Sequence, residues 1–519
     1  MAVTIEAYSA CCFWEKCRVD TNLVLVLSFI IYSGIIIGVG LYSTRWRKST
    51  TDDYVLANRE LGPWASALSA SASSESGWVM LGLVGEAYLF GGAAFWIVPG
   101  IAAGYLFNWF VIAERLRKVT LDSGAVTLPQ YILHRFDSKS MALRIIPVAI
   151  IVLALLTYVA AQMNAAGKAF EAVFHLPYVW GVLAGAAIIL AYTITGGFRA
   201  ICWTDIIQAS FMVIALVGMP LLLLTKMGGY GSFTAASESV DPHLLTYAYD
   251  KTGFAVFGFV IGLLGIGLGY PGQPHVLSRF MAARDTTTVR RGRVIAMVWM
   301  ILAYLGAVFF GFFAKVYFTA QELAIRAAAN IHIDLLVDPE QALPLACGLL
   351  LPPILAGFVI AAIVAAICST ADSQLIVVSS SISRDILPFL RCDGSTSPGD
   401  TSRMNVVTRT LHNDQIVLTV LALIAVGLAS MKSRVIFEFV LYAWSALGAS
   451  FGPVVILGLL WKRASKAGAI AAMVTGTVVT VVWRNVPLLK GAVYELVPAF
   501  VLAMAAMVIF SLICPKRTA

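Results

Sequence analysis

Residues 265–275 read GIGLGYPGQPH: four glycines and two prolines inside an apolar run otherwise long enough to cross a bilayer. Pro removes a backbone donor and Gly costs about 1 kcal/mol relative to Ala in a helix, so no smooth helix runs through this stretch. Residues 71–78, SASSESGW, repeat the anomaly with small polar residues and Glu75 at bilayer depth. The two breaks open the second and seventh apolar runs of the chain. A separation of five gives those runs opposite directions, the pattern of an inverted five-helix repeat with a binding site where the helices break. For either break alone, a kinked helix in a bundle is the plainer alternative.

Around these breaks the apolar excess runs throughout. Of the 519 residues 60% are apolar and 12% charged, and the mean hydropathy is +0.86, which excludes a water-soluble enzyme and points to an all-α integral membrane protein. The run from Asn22 to Tyr42 is too long for a signal-peptide core and reads as a retained helix. Further runs lie near 63–89, 94–113, 144–166, 178–196, 203–225, 253–275, 294–317, 346–380, 413–430, 435–460, 467–484 and 494–514, about thirteen spans in all. The chain thus reads as one multi-pass domain over 1–519. Residues 1–21 form a tail, 63–275 hold the first repeat and the start of the second, 253–460 the second repeat, and 461–519 accessory helices.

The net charge of +8 is read as topology and not as a nucleic-acid surface. With the N-terminus outside, the inner segments hold roughly 25 of the 36 Lys and Arg residues. They cluster at Arg45, Arg47, Lys48 and Arg59; at Arg115, Arg117, Lys118, Arg135 and Lys139; at Arg279, Arg284, Arg290, Arg291 and Arg293; and at Lys462, Arg463 and Lys466. The expected placement is the plasma (inner) membrane, N-terminus outside and C-terminus cytoplasmic. The inner loop near 384–412, with its DGSTSPGD stretch at 393–400, reads as flexible. Cys11, Cys12, Cys17, Cys202, Cys347, Cys368, Cys392 and Cys514 show neither disulfide nor zinc spacing.

Broken helices expose N–H groups at one half-helix end and carbonyls at the other, so one break suits a zwitterion together with a cation. The ninth run adds Ala366-Ile-Cys-Ser-Thr-Ala-Asp-Ser-Gln374. Its hydroxyls and carbonyls are hard neutral donors suited to an alkali cation, helix-to-helix hydrogen bonding being the alternative for Ser369 and Thr370. Glu75, Asp205 and Asp372 are acids at membrane depth, where placement costs at least about 2.5 kcal/mol, so they are functional candidates. Asp205 has an interfacial cap as its alternative. Glu86 and Glu114 lie near run ends, and most Trp and Tyr residues read as belt and packing. Tyr158 and Tyr270 lie mid-run on helices that face a site between the breaks. There is no Walker A loop, no GxSxG elbow in strand-turn-helix context and no HExxH pair, so no enzyme is expected.

Seven strings carry a resemblance: DDYVLANRELGP (52–63), ALSASASSESGW (67–78), RFDSKSMALRII (135–146), TGGFRAICWTDIIQAS (195–210), GLGYPGQPHVLSRFMAA (267–283), STADSQL (369–375) and YAWSALGASFGPVV (442–455). With them the chain resembles the sodium/solute symporter family, and within it is most like the sodium/proline symporters. The resemblance implies thirteen helices, a five-plus-five inverted repeat, and alternating-access import of a small solute with sodium. Proline is the expected solute; another small amino acid or a monocarboxylate is the alternative, and a transporter-like sensor or a channel are readings of a different class. The partners implied are Na+ as coupling ion, a small zwitterionic or anionic solute and the lipid bilayer, with no other cofactor, nucleic acid or obligatory protein partner.

Carried over by position, the resemblance implies sodium ligands at the carbonyls of Ala72, Glu75 and Ala366 and the hydroxyls of Ser369 and Thr370, with Asp205, Asp372 and Ser373 as accessory residues for sodium arrival or release. Ser76, Gly77, Tyr158, Ile266, Tyr270 and Pro274 match substrate positions. The chain departs from the pattern in three places. Ser74 stands where proline symporters usually have Asp, with the carboxylate one residue later at Glu75. Asp372 replaces an uncharged Ser of some members, and Ile266 stands for the usual Trp.

Overall fold

The computed structural model describes residues 23–46, 51–137, 139–174, 176–329, 335–390, 403–430 and 436–515. The expectations for residues 1–21, for Arg47 and Lys48, for Cys11, Cys12, Cys17 and Cys392, and for the 393–400 stretch lie outside these. Among the described residues the only β element is an isolated bridge between Leu61 and Ala283.

Among the described residues, eleven helical stretches are long and apolar enough to cross a membrane. One of them, Trp78–Ser123, is two helices parted at Gly91, and Tyr178–Ile194 adds a shorter apolar helix, so thirteen spans can be traced. They are α1 (Leu23–Ser43); α2, broken into Pro63–Ser74 and 78–90; α3 (97–123); α4 (Met141–Phe174); α5 (Tyr178–Ile194); and α6 (Gly196–Lys226). There follow α7, built from Phe254–Gly265, a 3-10 turn Ile266–Gly272 and Pro274–Met281; α8 (Thr286–Ala329); α9 (Pro353–Ser381); α10 (Arg403–Ala429); α11 (Ile436–Leu460); α12 (Lys466–Asn485); and α13 (Leu496–Ile513).

Local chemistry sets the divisions. Gly91 (φ 52°) turns the chain between α2 and α3 where a Cβ would lie 2.6 Å from the Leu244 carbonyl, and Gly197 (φ 59°) parts α5 from α6 against the Tyr54 ring. The run expected as one helix over 346–380 is two: Ala342–Leu350 ends at Leu351, and α9 restarts at Pro353, a residue that suits a first turn because it lacks an N–H.

The most apolar windows of α1 and α10 are each 28% buried, whereas that of α9 is 83% buried. α9 is therefore the central post of the bundle and α1 and α10 meet lipid. The first half of α2 packs against α6, α8, α9 and the second half of α7, while the 3-10 turn of α7 packs between α3 and α11. That close approach depends on small residues, since a Cβ at Gly104 would overlap the Gly267 carbonyl. Both breaks thus face one another inside the bundle.

Candidate functional site

The α2 break follows from its sequence. Ser74 Oγ lies 2.9 Å from the Ala70 carbonyl and 3.0 Å from that of Ser71, back-bonding that loosens a helix. Glu75 then leaves helical geometry (φ −100°, ψ 66°), and the chain resumes as a π-turn, Trp78–Leu83. In α7, Pro271 sits in the 3-10 turn, Gln273 is extended and Pro274 starts the second half.

At the break α2 meets α9. Ser369 Oγ donates to the Ala72 carbonyl at 3.0 Å and lies 3.2 Å from that of Ala366, and Thr370 Oγ1 donates to Ala72 at 3.3 Å. Four of the five expected cation ligands therefore converge, with the hydroxyl protons turned onto the carbonyls. Hard neutral oxygens at this spacing suit a monovalent cation. Among the described residues no cluster of three or more His, Cys, Asp or Glu side chains could hold a metal.

The Glu75 side chain points to other helices. Its Oε1 accepts from Tyr105 (2.8 Å, α3), Tyr270 (3.1 Å, α7) and Ser74 (3.0 Å), and its Oε2 accepts from Tyr304 on α8. Two of these tyrosines, Tyr105 and Tyr304, are not belt residues as the sequence suggests: both are buried at the break.

Beside them lies a closed cavity of about 10 Å³, barely room for one water molecule. Ser74, Trp78, Ile101, Tyr158, Ile266, Tyr270, Tyr304, Val440, Leu441 and Trp444 line it. Tyr158 OH lies 3.3 Å from Ser76 Oγ, and the Trp444 indole donates to the Ile266 carbonyl at 3.0 Å. Gly77 and Pro274 are placed elsewhere: the Gly77 N–H is taken by Gln162 Oε1 at 3.0 Å, and Pro274 lines a separate small cavity with Thr127 and Ser381. A wider cavity of about 580 Å³ adjoins the closed one through the shared residues Ile266 and Leu441 and is bordered by Glu86, Lys251, Glu340 and Arg484.

On the opposite side of the break sits a buried polar network. Arg279 was expected among loop cations; it is fully buried instead, because α7 resumes at Pro274 and carries it into the bundle. Its guanidinium donates to Ser69 Oγ (3.0 Å), Ser373 Oγ (2.5 Å) and the His275 carbonyl (2.7 Å), and lies 3.4 Å from Asp205 Oδ2. Ser69 donates to the same Asp205 oxygen at 2.6 Å. Asp205 lies inside α6 and is fully buried, so it is not a helix cap. Asp372 accepts from Tyr192 (2.6 Å) and Ser373 (3.1 Å), and Ser373 Oγ is 2.7 Å from the Ser369 carbonyl, one turn from the cation ligands. Glu114, in the last third of α3, pairs with Arg290 and Arg293 and has a structural part.

This arrangement has relatives. The profile of the Sodium:solute symporter family matches residues 54–476. The sodium/proline symporter of Salmonella typhimurium is 37% identical over 96% of this chain and 95% of its own length. That of Escherichia coli is 36% identical over 95% and 94%, and a high-affinity proline transporter of Bacillus subtilis 35% identical over 90% and 93%. Among solved structures, a Na+-coupled sialic acid symporter in a substrate-bound outward-open state superimposes with a TM-score of 0.76 at 18% identity, covering 96% of this chain and all of that one. A nucleobase-cation-symport-1 family transporter in a closed conformation superimposes at 0.52 and 12% identity, over 89% and 95%. Fold and sequence agree: the chain is a multi-pass membrane protein that belongs to the sodium:solute symporter family.

Proposed function

We propose that this protein is a sodium-coupled symporter that imports proline by alternating access. The observation that carries the reading is the convergence of Ala72, Ala366, Ser369 and Thr370 at the α2 break, in a chain more than a third identical to sodium/proline symporters. Sodium is a cargo here. The carbonyls of Ala72, Glu75 and Ala366 and the hydroxyls of Ser369 and Thr370 hold it, the two hydroxyls turning their lone pairs inward when it binds. Asp205, Asp372 and Ser373 lie along its path toward the basic face and act on its release.

The solute sits in the closed cavity, enlarged when bound, against Ser76, Tyr158, Ile266 and Tyr270. Trp78, whose buried indole N–H has no partner among the described residues, is available to the solute's carboxylate. The Gly77 N–H, held by Gln162, is not. Pro274 contributes by restarting α7. Residues 63–275 hold the first repeat and the start of the second, 253–460 the second repeat and 461–519 accessory helices. The face carrying Arg59, Arg117, Arg284 and Lys462 is cytoplasmic, by the excess of Lys and Arg on retained loops, which puts the N-terminus outside and the wide cavity on the outer side.

The energetics suffice. At 100 mV one sodium ion supplies about 2.3 kcal/mol and a tenfold gradient about 1.4 kcal/mol, together enough for roughly 500-fold accumulation. The test is uptake of radiolabelled proline, other small amino acids and monocarboxylates into proteoliposomes with an imposed sodium gradient. Accumulation of proline that requires sodium is the expected result; accumulation of another solute alone would move the assignment, and equilibration without accumulation would make the protein a channel.

A further inference from the structure

Half of the side chains lining the closed cavity are aromatic: Trp78, Tyr158, Tyr270, Tyr304 and Trp444. None of the ten is charged. The nearest carboxyl group lies one layer behind them, at Glu75, which accepts the phenolic protons of both Tyr270 and Tyr304. A phenol that donates to a carboxylate keeps its oxygen lone pairs, made more negative by that bond, for a second partner. Aromatic faces add an attraction of the same sign, since the ring quadrupole draws cations and alkylated ammonium groups most readily. Tyr270 and Trp444 meet edge to face with centroids 4.9 Å apart, so faces of different rings turn to different sides of the space between them.

The two sides of the α2 break thus divide their work. The Ala72 carbonyl faces the hydroxyls of α9, while the Glu75 carboxylate faces α3, α7 and α8. The Glu75 carboxylate is therefore turned to the tyrosines behind the closed cavity and away from the hydroxyl cluster.

We propose that the Glu75–Tyr270–Tyr304 unit, with the surrounding aromatic rings, is the subsite for the solute's ammonium group, and that it favours secondary and N-alkylated ammonium over solutes that lack a cationic nitrogen. This rests on the transport reading for its cargo and not for its chemistry, so it is testable by binding alone.

The experiment is equilibrium binding to the purified full-length protein in sodium buffer, followed by quenching of tryptophan fluorescence, with three ring compounds. Pyrrolidine-2-carboxamide keeps the ammonium and loses the carboxylate; N-methylproline keeps both and alkylates the nitrogen; oxolane-2-carboxylate keeps the carboxylate and replaces the nitrogen by ether oxygen. The first two are expected to bind at least about tenfold more tightly than the third, the scale of a charge-assisted hydrogen bond. Glu75→Gln should reduce that difference to about twofold, and Glu75→Asp should keep its order. Equal binding of the carboxamide and the oxolane acid to the wild type overturns the proposal, whether or not the Glu75 variants fold; so does an undiminished difference in a folded Glu75→Gln protein. A wild type that binds in the expected order yet accumulates no proline would overturn the transport reading and leave the ammonium subsite standing.

Discussion

Toward the wide cavity, a single layer of side chains bounds the closed cavity: Ile266 and Leu441 line both spaces and separate them. Toward the basic face, the way out passes Arg279, Asp205, Ser69, Ser373 and Asp372, all fully buried and linked by directional bonds. Backbone and side-chain ties reinforce that side: the Leu61 N–H donates to the Ala282 carbonyl, and the Arg59 guanidinium donates to the carbonyls of Met281 and Ala125. An aliphatic partition yields to small displacements because dispersion contacts are individually weak and carry no direction. A buried ion pair yields only when something replaces its partners. For the proposed cycle the difference teaches that an outer closure at the aliphatic partition would follow helix position, while an inner one at the ion pair would have to be coupled to binding. Ser373 is the proposed coupling point, since it bonds Arg279 and lies against the Ser369 carbonyl.

The largest expected effect comes from breaking the inner closure. Arg279→Met leaves Asp205 buried without its cation, at a cost of about 3–5 kcal/mol. Sodium-driven uptake should be lost and the melting temperature of the purified protein should fall. Adding Asp205→Asn should recover most of the thermal stability and little of the uptake, because the unpaired charge is gone while the link to the cation site is not rebuilt. A single mutant as stable as the wild type would mean that the network is not a closure.

Next in size is the proposed cation site. On that proposal Ser369→Ala and Thr370→Ala each remove one oxygen ligand from the ion. Each should raise the sodium concentration for half-maximal uptake by about tenfold, with protein levels in the membrane unchanged. Unaltered sodium dependence in both would return these hydroxyls to helix packing.

The outer closure should respond more mildly. Glu340 accepts from the N–H groups of Ile436 and Phe437, capping α11, and pairs with Lys168 on α4 at 2.5 Å. Phe437 stacks on Trp78, so the cap sets the position of the helix that brings Leu441 over the cavity. Glu340→Gln weakens the cap by about 1 kcal/mol, which should raise the reactivity of a Leu441→Cys thiol toward a polar thiol reagent about fivefold. No change in that rate would show that α11 is held by other contacts.

What the sequence disclosed tracks what is local. Gly, Pro and Ser punctuation marks the α2 and α7 breaks, and the Ser369-Thr370 pair is contiguous, so both are legible without a partner. Tyr105 and Tyr304 belong to apolar runs with no local anomaly, and their role arises because α3 and α8 turn them onto Glu75. Hydropathy tells that a residue lies in a span, not which neighbour it meets. Arg279 is five residues past Pro274 and shortly before Arg284, Arg290, Arg291 and Arg293, so a charge count groups it with the loop; what separates it is that α7 resumes for eight residues before the chain leaves the bundle. Gly77 is a related case: its N–H lies at the break, but Gln162 on α4, invisible from the break, takes it.

The smallest effect, and the sharpest for solute choice, is at Ile266. It is 2% exposed and lines both the closed and the wide cavity. Ile266→Trp adds volume to a packed position, which ordinarily costs about 1–3 kcal/mol, but the adjoining space of about 580 Å³ offers the indole somewhere to go. The larger ring thickens the partition and adds a face against which a five-membered solute packs. A gain of one such contact is about 1–3 kcal/mol if fully realised, and less here because Trp444 already covers part of the site. The apparent affinity for proline should therefore rise a few-fold relative to acyclic amino acids of similar size, with slower turnover from the heavier partition. The measurement is the ratio of kcat/KM for proline to that for alanine in proteoliposomes with an inward sodium gradient. If the ratio is unchanged while turnover falls, Ile266 acts on the outer partition alone, and solute selection rests with Tyr158, Tyr270 and the charge on Glu75.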